Sequence, residues 1–229
     1  MKQSKIPDID PHFSESSYRV NRDLFKKFDP LVMSEKSLCP FDSKDGRFEI
    51  IVLGDSYFVD HPSGLVRNAL AEEFDNYSIK IFILRYLMNA TGKTQSSEWI
   101  SFKEFPDGPI YYSNFHKRCI QVFAQIGNQK PDQLKQYMVN QKAIPYGKGD
   151  LSWQFTVTPG VEIVWILWFG DDEFEAEAQI LFDKKLTDVF NIKDLAILGD
   201  VLMISLKTFT LSLDSKKNRI NFRKMPKNN

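Results

Sequence analysis

Residues 151–183 read LSWQFTVTPGVEIVWILWFGDDEFEAEAQILFD, and the pattern of this stretch decides the fold class. LSWQFTVT and VEIVWILWF are rich in β-branched and aromatic residues, and Pro159–Gly160 supplies a turn between them. An antiparallel hairpin is the direct reading. Trp165 and Trp168 fall on opposite faces of their strand, one toward a core and the other toward a helix layer or a ligand. After Gly170 the period changes. In DDEFEAEAQILF, the residues Phe174, Ala178, Leu181 and Phe182 share a helical face, so the spacing predicts a helix that starts directly after the strand.

Outward from this stretch, the same two periods recur. RFEIIVLGDSYFVD (47–60) is a second β-rich pair broken at Gly54–Asp55, and EWISF is a short strand. IKIFILRYLMNA carries Ile79, Phe82, Ile83, Tyr86 and Leu87 at helical spacing, with Gly92 as a stop. YYSNFHKRCIQVFAQI puts Tyr112, Phe115, Cys119, Val122, Phe123 and Ile126 on one stripe; Gly127 closes that helix and Pro131 opens the next, to about Gln141. Asn21 is positioned to cap a helix through RDLFKKFDPLVM that Pro30 interrupts. The turn His61–Pro62–Ser63–Gly64 leads toward a helix in 65–75. Asp194 starts a long helix through LAILGDVLMISLKTFTL, amphipathic despite Gly199. The expected class is α+β: a mostly antiparallel sheet built from hairpins and packed by several amphipathic helices. Residues 1–18 read as a flexible arm, 19–213 as a single domain, and 214–229 as a basic flexible tail.

Composition bounds the function. The 229 residues hold 19 Phe and 42% hydrophobic residues, enough for a sizeable core. Lys plus Arg equals Asp plus Glu at 30 each, which removes any global pull toward nucleic acid or an anionic membrane. The basic run Lys216, Lys217, Arg219, Arg223, Lys224 and Lys227 is most simply a solvated chain end. Cys39 and Cys119 are far apart, too few for an iron–sulfur cluster of the chain's own, and in keeping with a reducing compartment. The windows IKIFILRYLM and VEIVWILWF each carry a charge and are shorter than the roughly 20 residues of a membrane span. The N-terminus has no apolar stretch that would make a signal peptide. A cytoplasmic protein without a membrane segment is the expectation; the sequence is silent on oligomeric state.

The densest chemistry lies after Gly170. Asp171, Asp172 and Glu173 are consecutive, and Glu175, Glu177 and Asp183 follow. At a helix N-terminus such acids offset the macrodipole and cap free N–H groups, and that alone explains one or two of them. Three in a row at the end of an apolar strand also suit a hard cation such as Mg²⁺ or Ca²⁺. Asp150, in GKGD before the hairpin, joins Asp171, Asp172 and Glu173 as a metal candidate if the fold brings it close. For a ligand, the candidates are Tyr111, Tyr112, His116, Arg118, Trp168, Asp171 and Asp172. His12 and His61 read as solvated. The GKT of ATGKT is no P-loop, because Leu87 stands where the first glycine is required. GxSxG, HExxH, EF-hand and GxGxxG patterns are absent from the sequence.

The segments IIVLGDSYFVD, ILRYLMNATGK, EWISFKEFPDGPIYYSNFHKRC, GKGDLSWQF, VTPGVEIVWILWFGDDEFEAEAQILFD and IKDLAILGDVL together resemble the bacterial family catalogued as domain of unknown function 3786, over about residues 48–206. The resemblance implies an intracellular protein of strictly anaerobic bacteria. Some members carry an added iron–sulfur domain, for which this chain has no cysteine cluster; that company suggests one-carbon or corrinoid metabolism. It implies no activity and no catalytic residues. Three functions follow as expectations. The first is a small-ligand or cofactor-binding accessory protein of anaerobic metabolism, with a pocket of Tyr111, Tyr112, Trp168, Asp171 and Asp172. The second is a divalent-metal-dependent hydrolase or lyase built on Asp150 and the 171–173 carboxylates, with His116 as acid or base. The third is a scaffold for a partner protein.

Overall fold

Two antiparallel sheets and a long helix organise the chain, and the computed structural model describes residues 14–92, 96 and 98–224 of it. The class is α+β, with both sheets built from hairpins. The first sheet is a meander of β1 (Phe41–Asp42), β2 (Arg47–Val52), β3 (Asp55–Asp60) and β4 (Leu65–Asn68). Its inner face is read directly from period 2: Phe48, Ile50 and Val52 on β2 and Tyr57 and Val59 on β3 are buried. The turn at Leu53–Gly54 needs positive φ at both residues (51° and 83°), the geometry that a two-residue hairpin requires and that Gly54 permits. The turn at 61–64 leads into strand β4 and not into the helix expected over 65–75, because Val66 completes the sheet opposite Val59.

The second sheet has the order β5 (Trp99–Ser101), β9 (Glu177–Asp183), β8 (Val161–Trp168), β7 (Leu151–Thr158) and β6 (Ile144–Pro145). β8 is its centre and is buried along nearly its whole length. The helix predicted over 171–182 does not form. Residues 171–176 form a tight turn, and 177–183 form strand β9, in register with β8 through Trp165↔Ile180 and Ile163↔Phe182. The physical reason is non-local. A central strand buried on both faces must have its backbone N–H and C=O groups paired on both edges, and β7 covers only one. Read at period 2, Ala178, Ile180 and Phe182 line the inner face, so the same apolar residues satisfy a strand as well as a helix.

Helices close the core. α1 (Glu15–Phe25) begins earlier than the expected cap at Asn21: Ser14 caps it, and Asn21 is buried mid-helix. Residues 15–18 of the expected arm are therefore helical, and Tyr18 is buried, donating its hydroxyl to Gly64 O and accepting from Val66 N. α2 (Pro30–Ser37) starts with Pro30 at its first position, capped by Asp29. α3 (Tyr77–Asn89) is buried almost all round and lies among α1, α2 and the last helix. α4 (Gly108–Phe115) and α5 (Gln121–Gln129) run on through a π-helical turn at His116–Ile120. Gly127 does not end this helix; a Cβ there would meet Leu167 Cδ2 at 2.7 Å, so the glycine lets α5 lie close on β8. α6 (Pro131–Asn140) follows.

α7 (Ile192–Lys224) is the longest element, and it extends through part of the expected tail. Its Ile192–Ser215 portion is long and apolar enough to cross a membrane by length and composition, a feature that neither of the two windows singled out from the sequence anticipated. Here Leu195, Leu198, Val201, Leu202 and Leu206 are buried in the core. Two ion pairs fix its register: Asp194 with Arg85 of α3, and Asp200 with Arg118 of the π-helical turn at 2.6 Å. Gly199 sits where α7 crosses α4, and an added Cβ would meet Phe115 Cε2 at 2.5 Å and Cys119 Sγ at 2.7 Å. A backbone bond joins the two sheets, Leu53 N to Val157 O at 2.8 Å, made where the β7–β8 register shifts between Thr156 and Thr158.

Candidate functional site

The acidic turn is a self-contained backbone structure. Asp171 Oδ1 accepts from Glu173 N at 2.9 Å and Phe174 N at 2.8 Å, and Asp171 N donates to Phe174 O. Those backbone N–H groups hold the Asp171 carboxyl below the usual carboxylate range. Gly170 allows the fold-back, since a Cβ there would meet Ala176 N at 2.7 Å. The fold does bring Asp150 to this end of β8: its Oδ2 accepts from Phe169 N at 2.7 Å. Both carboxylates thus satisfy backbone donors. Among the described residues, no group of three or more His, Cys, Asp or Glu side chains is arranged to hold a metal ion. Beside the turn lies an open groove of about 790 Å³, with Gln121, Gln125 and Asn128 of α5 facing Asp171, Asp172 and Glu173.

The aromatic and basic candidates lie elsewhere. Tyr111 is exposed, and Tyr112 is covered by Lys103, whose Nζ is 4.0 Å from the ring centre, and by His116 at 5.5 Å between ring centres. Arg118 serves the Asp200 pair. Trp168 is 38% exposed beside Gly149, while Trp165 is fully buried against Phe123, Tyr137 and Phe155. Neither the acidic groove nor the larger cleft beside the β2–β3 turn includes Tyr111, Tyr112, His116, Arg118 or Trp168, so the pocket expected from these residues together with Asp171 and Asp172 is not assembled in either place. His61 is held by Phe28 O at 3.0 Å and packs on Phe25 and Phe41, and His12 lies outside the described residues, as does most of the GKT segment.

The larger cleft, about 910 Å³, lies between the β2–β3 turn, the start of α3, the end of α6 and the middle of α7. Its walls are two aromatic pairs. Tyr57 and Phe74 stand with ring centres 5.5 Å apart on the sheet side, and Tyr137 and Phe209 at 5.5 Å on the helix side. Burial pushes the Tyr57 and Tyr137 phenols well above their ordinary range, so both are neutral donors or acceptors; Tyr137 Oη is bonded to Ser205 Oγ at 3.0 Å. Asn140 and Gln141 from α6 and Thr208 from α7 add polar groups. Asp55 stands at the hairpin turn, exposed to solvent on one side and backed by protein on the other, and that desolvation raises its carboxyl above the ordinary value. None of these residues was singled out from the sequence. They come from four separate segments, and the only local mark, the Leu53–Gly54 turn beside Asp55, reads fully as a hairpin.

The fold and cleft define a hairpin-built α+β protein with a preformed pocket where its first sheet meets the helix layer. Residues 29–205 match the family model described as Domain of unknown function (DUF3786), and the chain belongs to that family. The match begins upstream of the resemblance seen in the sequence and so takes in α2 and β1. No curated protein and no solved structure matches the chain.

Proposed function

We propose that this chain is a small-molecule-binding accessory protein whose ligand occupies the cleft between the β2–β3 turn, α3, α6 and α7. The observation that carries this reading is the cleft itself. About 910 Å³ lies within the size range of ligand pockets, roughly 300–1,000 Å³, and its composition has their character: aromatic walls with a few converging amides, hydroxyls and one unpaired carboxylate. The walls come from rigid elements, with Tyr137 anchored by Ser205 and by packing on Trp165. A cytoplasmic setting suits the two buried, unpaired thiols, Cys39 and Cys119. The family resemblance suggests anaerobic bacterial metabolism as the context. The metal-dependent hydrolase or lyase reading draws less support, because Asp150 and Asp171 spend their carboxylates on backbone donors.

Thermal shift of the full chain with nucleotides, corrinoids, divalent cations and aromatic fragments tests this reading. Thr208 is exposed on the cleft side of α7, so Thr208→Trp fills the cleft without entering the core. The expected result is ligand stabilisation that Thr208→Trp abolishes and the Asp171→Asn/Asp172→Asn double variant retains; a ligand at about 100 times its Kd adds roughly 2.7 kcal/mol. The opposite pattern moves the site to the acidic turn and overturns the proposal, as does the absence of stabilisation by any compound.

A further inference from the structure

The charge pattern of the cleft narrows its ligand, on the premise that the cleft is the binding site. Its lining includes two carboxylates, Asp55 and Asp75, and no lysine, arginine or histidine. Asp75 is drawn to the charge of Lys80. The Asp55 carboxylate has neither a hydrogen-bond nor an ion-pair partner among the described residues, and its surroundings only desolvate it. A carboxylate held in that state stands ready for a counter-ion. A phosphate or carboxylate ligand would meet the unpaired Asp55 charge and no basic side chain in the lining.

The walls suit the same partner. The Tyr57–Phe74 and Tyr137–Phe209 pairs line two sides of the cleft, with half-buried Phe74 and Phe209 the more accessible ring of each pair, and aromatic rings attract cations through their quadrupole. The chain already uses this chemistry behind the cleft wall. Lys80 is buried, with its Nζ 5.2 Å from the Tyr18 ring centre, 5.0 Å from that of Phe74 and 5.5 Å from that of Tyr77. Lys80 itself does not line the cleft, and the charges of Glu73 and Asp75 offset its own.

We propose that the cleft binds an organic cation, a protonated amine on an aromatic or apolar body, with Asp55 as its counter-ion and the two ring pairs as its walls. Selectivity then comes from charge: a neutral molecule of equal shape gains the ring contacts but leaves Asp55 unpaired.

The test uses matched probes on the full chain, titrated by ligand-observed NMR: phenethylamine and tryptamine, the corresponding alcohols 2-phenylethanol and tryptophol, and the acids phenylacetate and indole-3-acetate. Each is titrated against wild type, Asp55→Asn and Thr208→Trp, with circular dichroism confirming that the variants fold. The expected result is a Kd about tenfold lower for the amines than for the alcohols, as a charge-assisted bond provides. That preference disappears in Asp55→Asn, and the binding disappears in Thr208→Trp. If the alcohols or acids bind wild type as tightly as the amines, and Thr208→Trp removes that binding, the cation inference falls while the binding function stands. An amine preference that survives in Asp55→Asn also overturns the inference. If no probe depends on Thr208, both the inference and the site assignment fail.

Discussion

At the scale of single residues, Asp55 and Asp171 are opposites, although both are exposed aspartates at turns. Asp171 accepts two backbone N–H bonds, which favour its charged form; Asp55 receives none, and the protein around it favours its neutral form. Linkage turns this into a stability prediction. The Asp55 carboxyl is raised in the folded chain, so the folded state holds its proton more tightly, and its ionisation costs stability as pH rises above the unfolded carboxylate range, near pH 4. Asp55→Asn should therefore have a higher melting temperature than wild type at pH 7, with the difference shrinking as pH falls through about 4. A variant less stable at pH 7 would show that the carboxylate has a favourable partner after all. Glycines show the same dependence on surroundings. Nothing local distinguishes Gly199 from a helix breaker; it is kept where α7 crosses Phe115 and Cys119 because a side chain does not fit.

At the scale of elements, the segment after Gly170 separates local from non-local preference. Glu and Ala favour helix, and the 174, 178, 181 and 182 spacing agrees with one. The competing strand uses Ala178, Ile180 and Phe182, and it gains a full ladder to β8 as well as the contacts of Phe182 with Phe105 and Phe115. Hydrogen exchange distinguishes the two. The amides of 178–182 that bond to β8 should exchange only with near-global unfolding, while those of 172–176, apart from the two bonded to Asp171, should exchange quickly. Protection that begins at 174 and runs continuously to 182 would indicate a helix. Elements with local signals were legible: Pro131 at a helix start, Gly54 and Gly160 at hairpin turns, and the α3 and α7 stripes; Pro30, read as an interruption, instead starts a helix of its own capped by Asp29. The capping role of Ser14 and the strand at 65–68 were not, since each depends on what packs opposite.

At the scale of the whole molecule, one continuous core runs from Phe25 and Phe48 under the first sheet to Phe155 and Trp165 in the second, and Leu53 N bonds across to Val157. The two sheets should therefore unfold together. All four tryptophans, Trp99, Trp153, Trp165 and Trp168, lie on strands of the second sheet. Phe48→Ala, in the first sheet, removes a fully buried ring at a cost of about 3–5 kcal/mol. Its denaturant midpoint followed by tryptophan fluorescence should fall by the same amount as that followed by circular dichroism. A fluorescence transition left at the wild-type midpoint would mean that the sheets unfold separately.

The sequence by itself determined the class, the hairpin turns at Gly54 and Gly160, the α3, α4–α5, α6 and α7 helices, and the acidic character of the β8 exit, because hydrophobic period, glycine and proline act within a few residues of where they stand. Only the tertiary structure decided that 177–183 is a strand, since the unpaired edge of β8 is what calls for it. The same holds for the cleft: Asp55, Tyr57, Phe74, Tyr137 and Phe209 are each ordinary where they occur, and they share one space only because the hairpin turn, α3, α6 and α7 converge there.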